Sequence, residues 1–201
     1  MGYSTPIQFF KYLCYYWVAS NSKGHGIHSP FVFKLIQEQF NVSKSLEVPE
    51  STTPAMQQLV QELQLATSNL LPNKISHLLV RLLHRFNPVA YCVIKAHENQ
   101  NNFSNIETLD FAFLTATDQM VAFLSNANKA LQMMHPAAWM VVQGIHSSKA
   151  METAWSTLKE NAQVRLTIDL FSIGIIFCRK EQKEKWMVGR FPIPNLKLLL
   201  F

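Results

Sequence analysis

The sequence predicts an α/β protein, in which an N-terminal helical segment precedes a mostly parallel sheet with an antiparallel edge. Up to residue 86, apolar residues recur at three- and four-residue steps, whereas short β-rich runs begin at residue 89. The stretch from Ala138 to Lys180 reads as a strand, a polar loop, an amphipathic helix and an apolar run that folds back on itself. Open α/β sheets bind ligands where a strand ends before a helix, so the loop from Gly144 to Ser148 is the first candidate site.

The composition indicates one globular unit. A chain of 201 residues can bury a sizeable core, and 48% hydrophobic against 15% charged residues argues against disorder. The net charge of +5 is mildly basic. Its one late cluster is Arg179, Lys180, Lys183 and Lys185. We interpret this cluster as a solvated turn or strand end, so the sequence predicts no nucleic-acid partner.

Cysteine usage and the N-terminus predict a cytoplasmic protein. Cys14, Cys92 and Cys178 are widely spaced in apolar runs without metal-ligand spacing, which is typical of reduced, buried thiols. The N-terminus lacks the basic region of a signal peptide. No apolar run reaches the roughly 20 residues that a membrane-spanning helix needs.

Four helices are predicted before the sheet. The predicted spans are 6–19, 30–40, 54–68 and 74–86. Aromatic residues surround the first helix, which indicates a helix buried on more than one side or used as an interface. Gly24 and Gly26 break the chain after it. Ser29 is the predicted N-cap of the second helix, and Pro30 takes its first position.

The remaining residues predict the sheet and its helices. The predicted strands are 89–96, 109–116, 138–143, 164–171, 174–180 and 186–191, and the predicted helices are 118–134 and 148–160. His135 and Pro136 end the longer helix. We expect residues 1–72 to pack as a helical segment on an α/β domain of residues 73–201, as one structural unit. The apolar tail after residue 191 has no clear partner in the pattern.

Two stretches resemble a known family. GHGIHSPFVFKLI contains the block from His25 to Phe31, and METAWSTLKENAQVRLTIDLFSIGIIFCRK contains the block from Thr167 to Phe171 followed by Gly174. Together, in this order, they are similar to motifs of bacterial, Bacteroidetes-type class I S-adenosylmethionine-dependent methyltransferases. The resemblance implies a reduced Rossmann-like sheet with an antiparallel C-terminal hairpin, and S-adenosylmethionine as the cofactor.

The chain departs from the family at the implied cofactor site. The family has a glycine-rich turn after its first strand, whereas VIKAHENQNN contains no glycine and places Lys95 where an acid is expected. LDFAFL resembles the family's fourth strand, and the short loop before it leaves no room for the second and third. The family has an acidic pair directly before an Ile-His sequence, and in this chain Gln143 and Gly144 stand in its place. The altered pocket positions are Lys95, His97, Thr115, Thr117, Gln143 and Gly144.

The resemblance and these departures leave three functional hypotheses. The first is a methyltransferase-like protein that has lost the cofactor-binding motif and the activity, with no cofactor. The second is an active methyltransferase on a small molecule, with an atypical pocket and His146 or Asp118 as the base. The third is an interaction or scaffold protein that partners itself or a paralogue through the first helix or the C-terminal tail.

Single candidate residues have structural alternatives. His25, His28 and Ser29 suggest a lid or a packing element, and the two histidines lack a third metal ligand. For His146, we favour a hydrogen-bonded corner beside a serine that caps the next helix. Asp169 lies inside an apolar strand, so it is either an edge charge or a buried acid paired with Arg165, His146 or a backbone amide.

Overall fold

The computed structural model describes residues 2–18, 20–21, 29–40, 53–67, 71, 73–95, 106–179 and 187–190. The helices in these ranges are α1 (Thr5–Val18), α2 (Pro30–Leu35) with a π-helical continuation (Ile36–Phe40), α3 (Pro54–Thr67), α4 (Asn73–Phe86), α5 (Met120–Met133) and α6 (Lys149–Lys159). The strands are β1 (Ser20–Asn21), β2 (Tyr91–Ile94), β3 (Leu109–Leu114), β4 (Met134–Gln143), β5 (Leu166–Asp169), β6 (Ile173–Phe177) and β7 (Met187–Arg190).

The strands form one mixed sheet in the order β1-β7-β5-β6-β4-β3-β2. β2, β3 and β4 are parallel neighbours, whereas β6 is antiparallel to both β4 and β5. β2 to β6 form the five-stranded body, and the short β7 and β1 extend it beyond β5. The α/β class and the antiparallel hairpin are therefore confirmed. The expectation of an antiparallel edge is wrong, because β6 lies between two neighbours.

Helices cover both faces of the sheet, as the side-chain alternation of its strands requires. Phe111 and Phe113 of β3 pack in one core with α2, α3 and α4. Ala112 and Leu114 of the same strand pack in a second core with α5 and α6. Part of the N-terminal helical region thus shares a core with the sheet, while the division at residue 72 stays a prediction.

Three boundaries differ from the prediction. The second helix widens into a π-helical turn at Ile36, and the Arg81 guanidinium donates two hydrogen bonds to the Gln39 carbonyl, at 2.9 and 2.7 Å. The loop predicted from residue 20 begins with β1, whose Ser-Asn sequence carries no strand signal. β4 begins at Met134, directly after α5, and its first residues bulge out because the register jumps before Trp139.

Asp110, an acid that the sequence analysis did not identify, links three strands at their amino-terminal ends. Asp110 Oδ2 accepts hydrogen bonds from the amides of Val89 and Ala90, both at 2.8 Å. Asp110 Oδ1 lies 2.7 Å from His135 Nε2. The Ala137 amide donates to His135 Nδ1 at 3.1 Å, so Nε2 carries the hydrogen that faces Asp110. Asp110 thereby joins the starts of β2, β3 and β4.

Across the described ranges, every helix falls short of the length and apolarity that crossing a bilayer would require.

Candidate functional site

The loop after β4 is built around one glycine and one cap. Gly144 has φ +68°, and a Cβ there would lie 2.7 Å from the Ala116 Cβ, so glycine is required both by backbone and by space. Ser147 Oγ donates to the Gly144 carbonyl at 2.7 Å. Ser148 Oγ accepts a hydrogen bond from the Met151 amide at 3.2 Å, which confirms the predicted helix cap.

His146, held by this loop, pairs with the acid at the end of β5. His146 Nε2 lies 2.9 Å from Asp169 Oδ2, and the Trp155 indole N–H donates to the same oxygen at 3.3 Å. The Phe171 amide donates to Asp169 Oδ1 at 2.9 Å. Asp169 is 8% exposed, so the interpretation as a buried acid paired with His146 and a backbone amide is confirmed.

The turn between β5 and β6 positions the imidazole. Phe171 has φ +66°, a left-handed conformation that is rare for a residue with a side chain. The Asp169 carboxylate holds this turn through the Phe171 amide, and the Phe171 ring stacks on His146 with centroids 5.2 Å apart. The same carboxylate thus fixes the turn and orients the ring that the turn supports.

α1 covers this pair with polar and aromatic side chains. The Lys11 ammonium lies 2.6 Å from Glu152 Oε1, and the Tyr3 hydroxyl donates to Glu152 Oε2 at 3.0 Å. The Tyr15 hydroxyl donates to the Asp169 carbonyl at 2.6 Å, and the Tyr3 amide donates to the Ser147 carbonyl at 2.8 Å. The residues before and within α1 therefore close the carboxyl end of β4.

Charges in the covered cluster reinforce one another. The hydrogen bond to Glu152 raises the pKa of Lys11 above its ordinary value of 10.5, although partial burial opposes it. Partial burial alone would raise the pKa of Glu152, but the hydrogen bonds from Lys11 and Tyr3 outweigh it and hold the pKa below 4.5. Burial raises the pKa of the Tyr15 hydroxyl. Lys11 and Glu152 are therefore an ion pair at neutral pH.

The outer face of α1 is apolar. Ile7 is 48% and Phe10 is 68% exposed, while Tyr12 and Tyr15 face Phe171 with ring centroids 5.1 and 5.4 Å away. None of the side chains described from residue 2 to residue 15 is buried. The side chains described up to residue 15 therefore show no burial of the helix on more than one side, and its use as an interface stays a prediction.

The predicted pocket positions behave in different ways. Thr115 is buried, and its amide donates to the Ile94 carbonyl at 3.0 Å, in continuation of the β2–β3 ladder. The Gly144 amide donates to the Ser172 carbonyl at 2.7 Å, and Gln143 is buried beside it. Thr117 Oγ1 accepts from the Gln119 amide at 3.2 Å. Two amides that a ligand could use are thus taken by the sheet.

Other candidate residues are exposed or lie outside the described ranges. Lys95 and Asp118 are exposed. Ser29 accepts from the Val32 amide at 3.4 Å and caps α2 as predicted. The candidates His25, His28 and His97 lie outside the described residues. Among the residues that the structure describes, no group of three histidines, cysteines or acids could hold a metal ion.

Sequence patterns missed four residues of this cluster: Tyr3, Lys11, Tyr15 and Glu152. Their pairings join positions 141 to 154 residues apart, which no local periodicity records. One signal was available, because Lys11 and Tyr15 lie four residues apart and therefore share one face of the first helix.

Comparisons of the chain with protein-family models, with curated proteins and with solved structures give no match. The methyltransferase resemblance of the two motif blocks therefore stays a prediction.

Proposed function

We propose that this chain is a methyltransferase-like scaffold that does not bind S-adenosylmethionine and does not transfer methyl groups. The observation that carries the proposal is the closed carboxyl end of β4, where Lys11, Tyr3 and Tyr15 occupy the polar groups of the candidate site. Ligands of open α/β sheets bind at the carboxyl ends of the strands, so a ligand at the end of β4 would compete with the chain's own N-terminal residues.

The strand order supports the methyltransferase-like part of the proposal. In the doubly wound order 3-2-1-4-5-6, removal of the second and third strands leaves the first beside the fourth. β2 and β3 are parallel neighbours, as the first and fourth strands of that order are. Residues 95–108, which connect them, are long enough for one short crossover. Strand order alone shows no chemistry, because one fold serves many functions.

The residues at the sheet edge do not fit the cofactor. A nucleoside-bearing cofactor needs backbone amides free to approach it and an acid for its ribose hydroxyls. The amides of Gly144 and Thr115 are already bonded to carbonyls, and an exposed lysine, Lys95, follows β2. The connection after it, residues 96–108, contains no glycine. Each of these features supports the loss of the cofactor site.

A second function, an active enzyme with His146 as the base, is favoured by one observation. Asp169 orients His146 through Nε2, which is the arrangement of an imidazole that takes protons through its other nitrogen. In the closed structure that other nitrogen, Nδ1, faces Glu152 Oε1 at 3.6 Å. The closed edge leads us to favour the inactive scaffold.

Calorimetric titration with S-adenosylmethionine decides between the two functions. We expect no heat of binding at ligand concentrations up to about 1 mM. This concentration detects any site whose binding free energy is more favourable than about −4 kcal/mol. A class I methyltransferase titrated under the same conditions is the positive control. A dissociation constant in the micromolar range would contradict the inactive scaffold and would leave the active enzyme in its place.

The thiols support a reducing compartment for this scaffold. All three cysteines are free, and Cys92 and Cys178 are buried as predicted. The expected burial of Cys14 is wrong, because its side chain is exposed on α1. Burial raises the pKa of Cys92 to about 12 and that of Cys178 to about 11, so neither forms a reactive thiolate at neutral pH. Inert buried thiols suit the proposed cytoplasmic location.

A further inference from the structure

The attachment of α1 differs from that of an ordinary surface helix. Helices of globular proteins gain most of their stability by burying an apolar face. Among its described side chains, up to residue 15, α1 instead turns Ile7 and Phe10 outward and contacts the body through Lys11, Tyr12 and Tyr15. Segments with few buried apolar contacts open locally at a lower free energy than the core does.

The groups beneath α1 are also held by contacts within the body of the protein. Asp169 is held by the Trp155 indole and the Phe171 amide, both of which belong to the body. His146 is held by Asp169 and by its stack on Phe171. Departure of α1 would therefore leave the His146–Asp169 pair in place.

The geometry points to a reversible strap: we propose that residues 2–18 lift from the body by breaking the Lys11–Glu152 and Tyr15–Asp169 contacts, which uncovers His146. His146 Nδ1 lies 3.6 Å from Glu152 Oε1, so departure of Lys11 leaves a carboxylate acceptor beside the imidazole. The uncovered recess therefore suits a ligand that donates a hydrogen bond, such as a hydroxyl or an ammonium group. In the closed state the chain's own Lys11 ammonium supplies the positive charge beside Glu152.

Acylation of histidines by diethylpyrocarbonate, followed peptide by peptide with mass spectrometry, tests the strap. His135 is an internal reference of the same chemistry, because its Nε2 lies 2.7 Å from Asp110 at the opposite edge of the sheet. We expect Lys11→Met to raise the His146 rate by roughly three- to tenfold, as loss of one part-buried charged hydrogen bond would do, and to leave His135 unchanged.

Two further variants complete the test. Lys149→Met makes the same change at an exposed lysine of α6, the helix that carries Glu152, and is expected to leave both rates unchanged. Tyr3→Phe removes one hydroxyl hydrogen bond without a change of charge and is expected to raise the His146 rate less than Lys11→Met does. An unchanged His146 rate in Lys11→Met and Tyr3→Phe, or equal rises at both histidines, overturns the strap. The readout involves no S-adenosylmethionine, so its outcome is independent of the cofactor titration.

Discussion

Replacing Asp169 with asparagine is expected to lower the free energy of unfolding by about 3 kcal/mol, which corresponds to a melting temperature lower by roughly 6–12 °C. The carboxylate accepts hydrogen bonds from His146, Trp155 and the Phe171 amide while it is 8% exposed. An asparagine keeps one acceptor oxygen, so its amide nitrogen would face a donor in a place that water cannot readily fill.

Urea denaturation of Asp169→Asn beside Glu107→Gln separates this effect from the general loss of a negative charge. Glu107 is exposed, so removal of its charge is expected to change the free energy of unfolding by less than about 0.5 kcal/mol. Equal effects of the two substitutions would mean that the Asp169 cluster does not hold the β5–β6 turn.

Replacing Gly174 with alanine is expected to cost about 2–3 kcal/mol by overpacking. A Cβ at Gly174 would lie 2.5 Å from Trp155 Cη2 and 2.7 Å from Cζ3. The ring cannot readily move away, because Trp155 is 2% exposed and its indole N–H is bonded to Asp169. Gly174 therefore has a steric role: it lets α6 approach the strand that pairs with β4.

Thermal denaturation of Gly174→Ala is matched by Gly2→Ala, where the added Cβ would meet the Ser147 carbonyl oxygen at an ordinary 3.6 Å. Combining Gly174→Ala with Trp155→Phe, which shortens the ring, is expected to cost less than the sum of the two single changes. Fully additive costs would show that the two side chains do not collide.

Local patterns predicted most of the fold because its elements are amphipathic or bounded by strong signals. Ser29 before Pro30 placed the start of α2, and the short apolar run LDFAFL placed β3. β1 was missed because its two residues depend on pairing with β7 and have no strand propensity of their own. The internal position of β6 was not predicted either, because packing across the whole sheet decides which strands become neighbours.

The candidate site was predictable only in part. Ser148 and Gly144 make hydrogen bonds to residues only three positions away in the sequence, so their roles could be predicted from the local sequence. An acid inside an apolar strand requires a partner. This requirement limited the possible partners of Asp169 to a few groups but did not identify His146 among them. The ion pair between Lys11 and Glu152 joins positions 141 residues apart in the sequence, so it depends on where α1 packs against α6.

The most direct test of the closed sheet edge is amide hydrogen exchange at Gly144, followed by NMR with and without S-adenosylmethionine. The Gly144 amide donates to the Ser172 carbonyl at 2.7 Å. We predict slow exchange in the chain alone and the same rate and chemical shift with the cofactor at about 1 mM, a concentration that would saturate any micromolar site. Fast exchange at Gly144 that slows when S-adenosylmethionine is added would contradict the account.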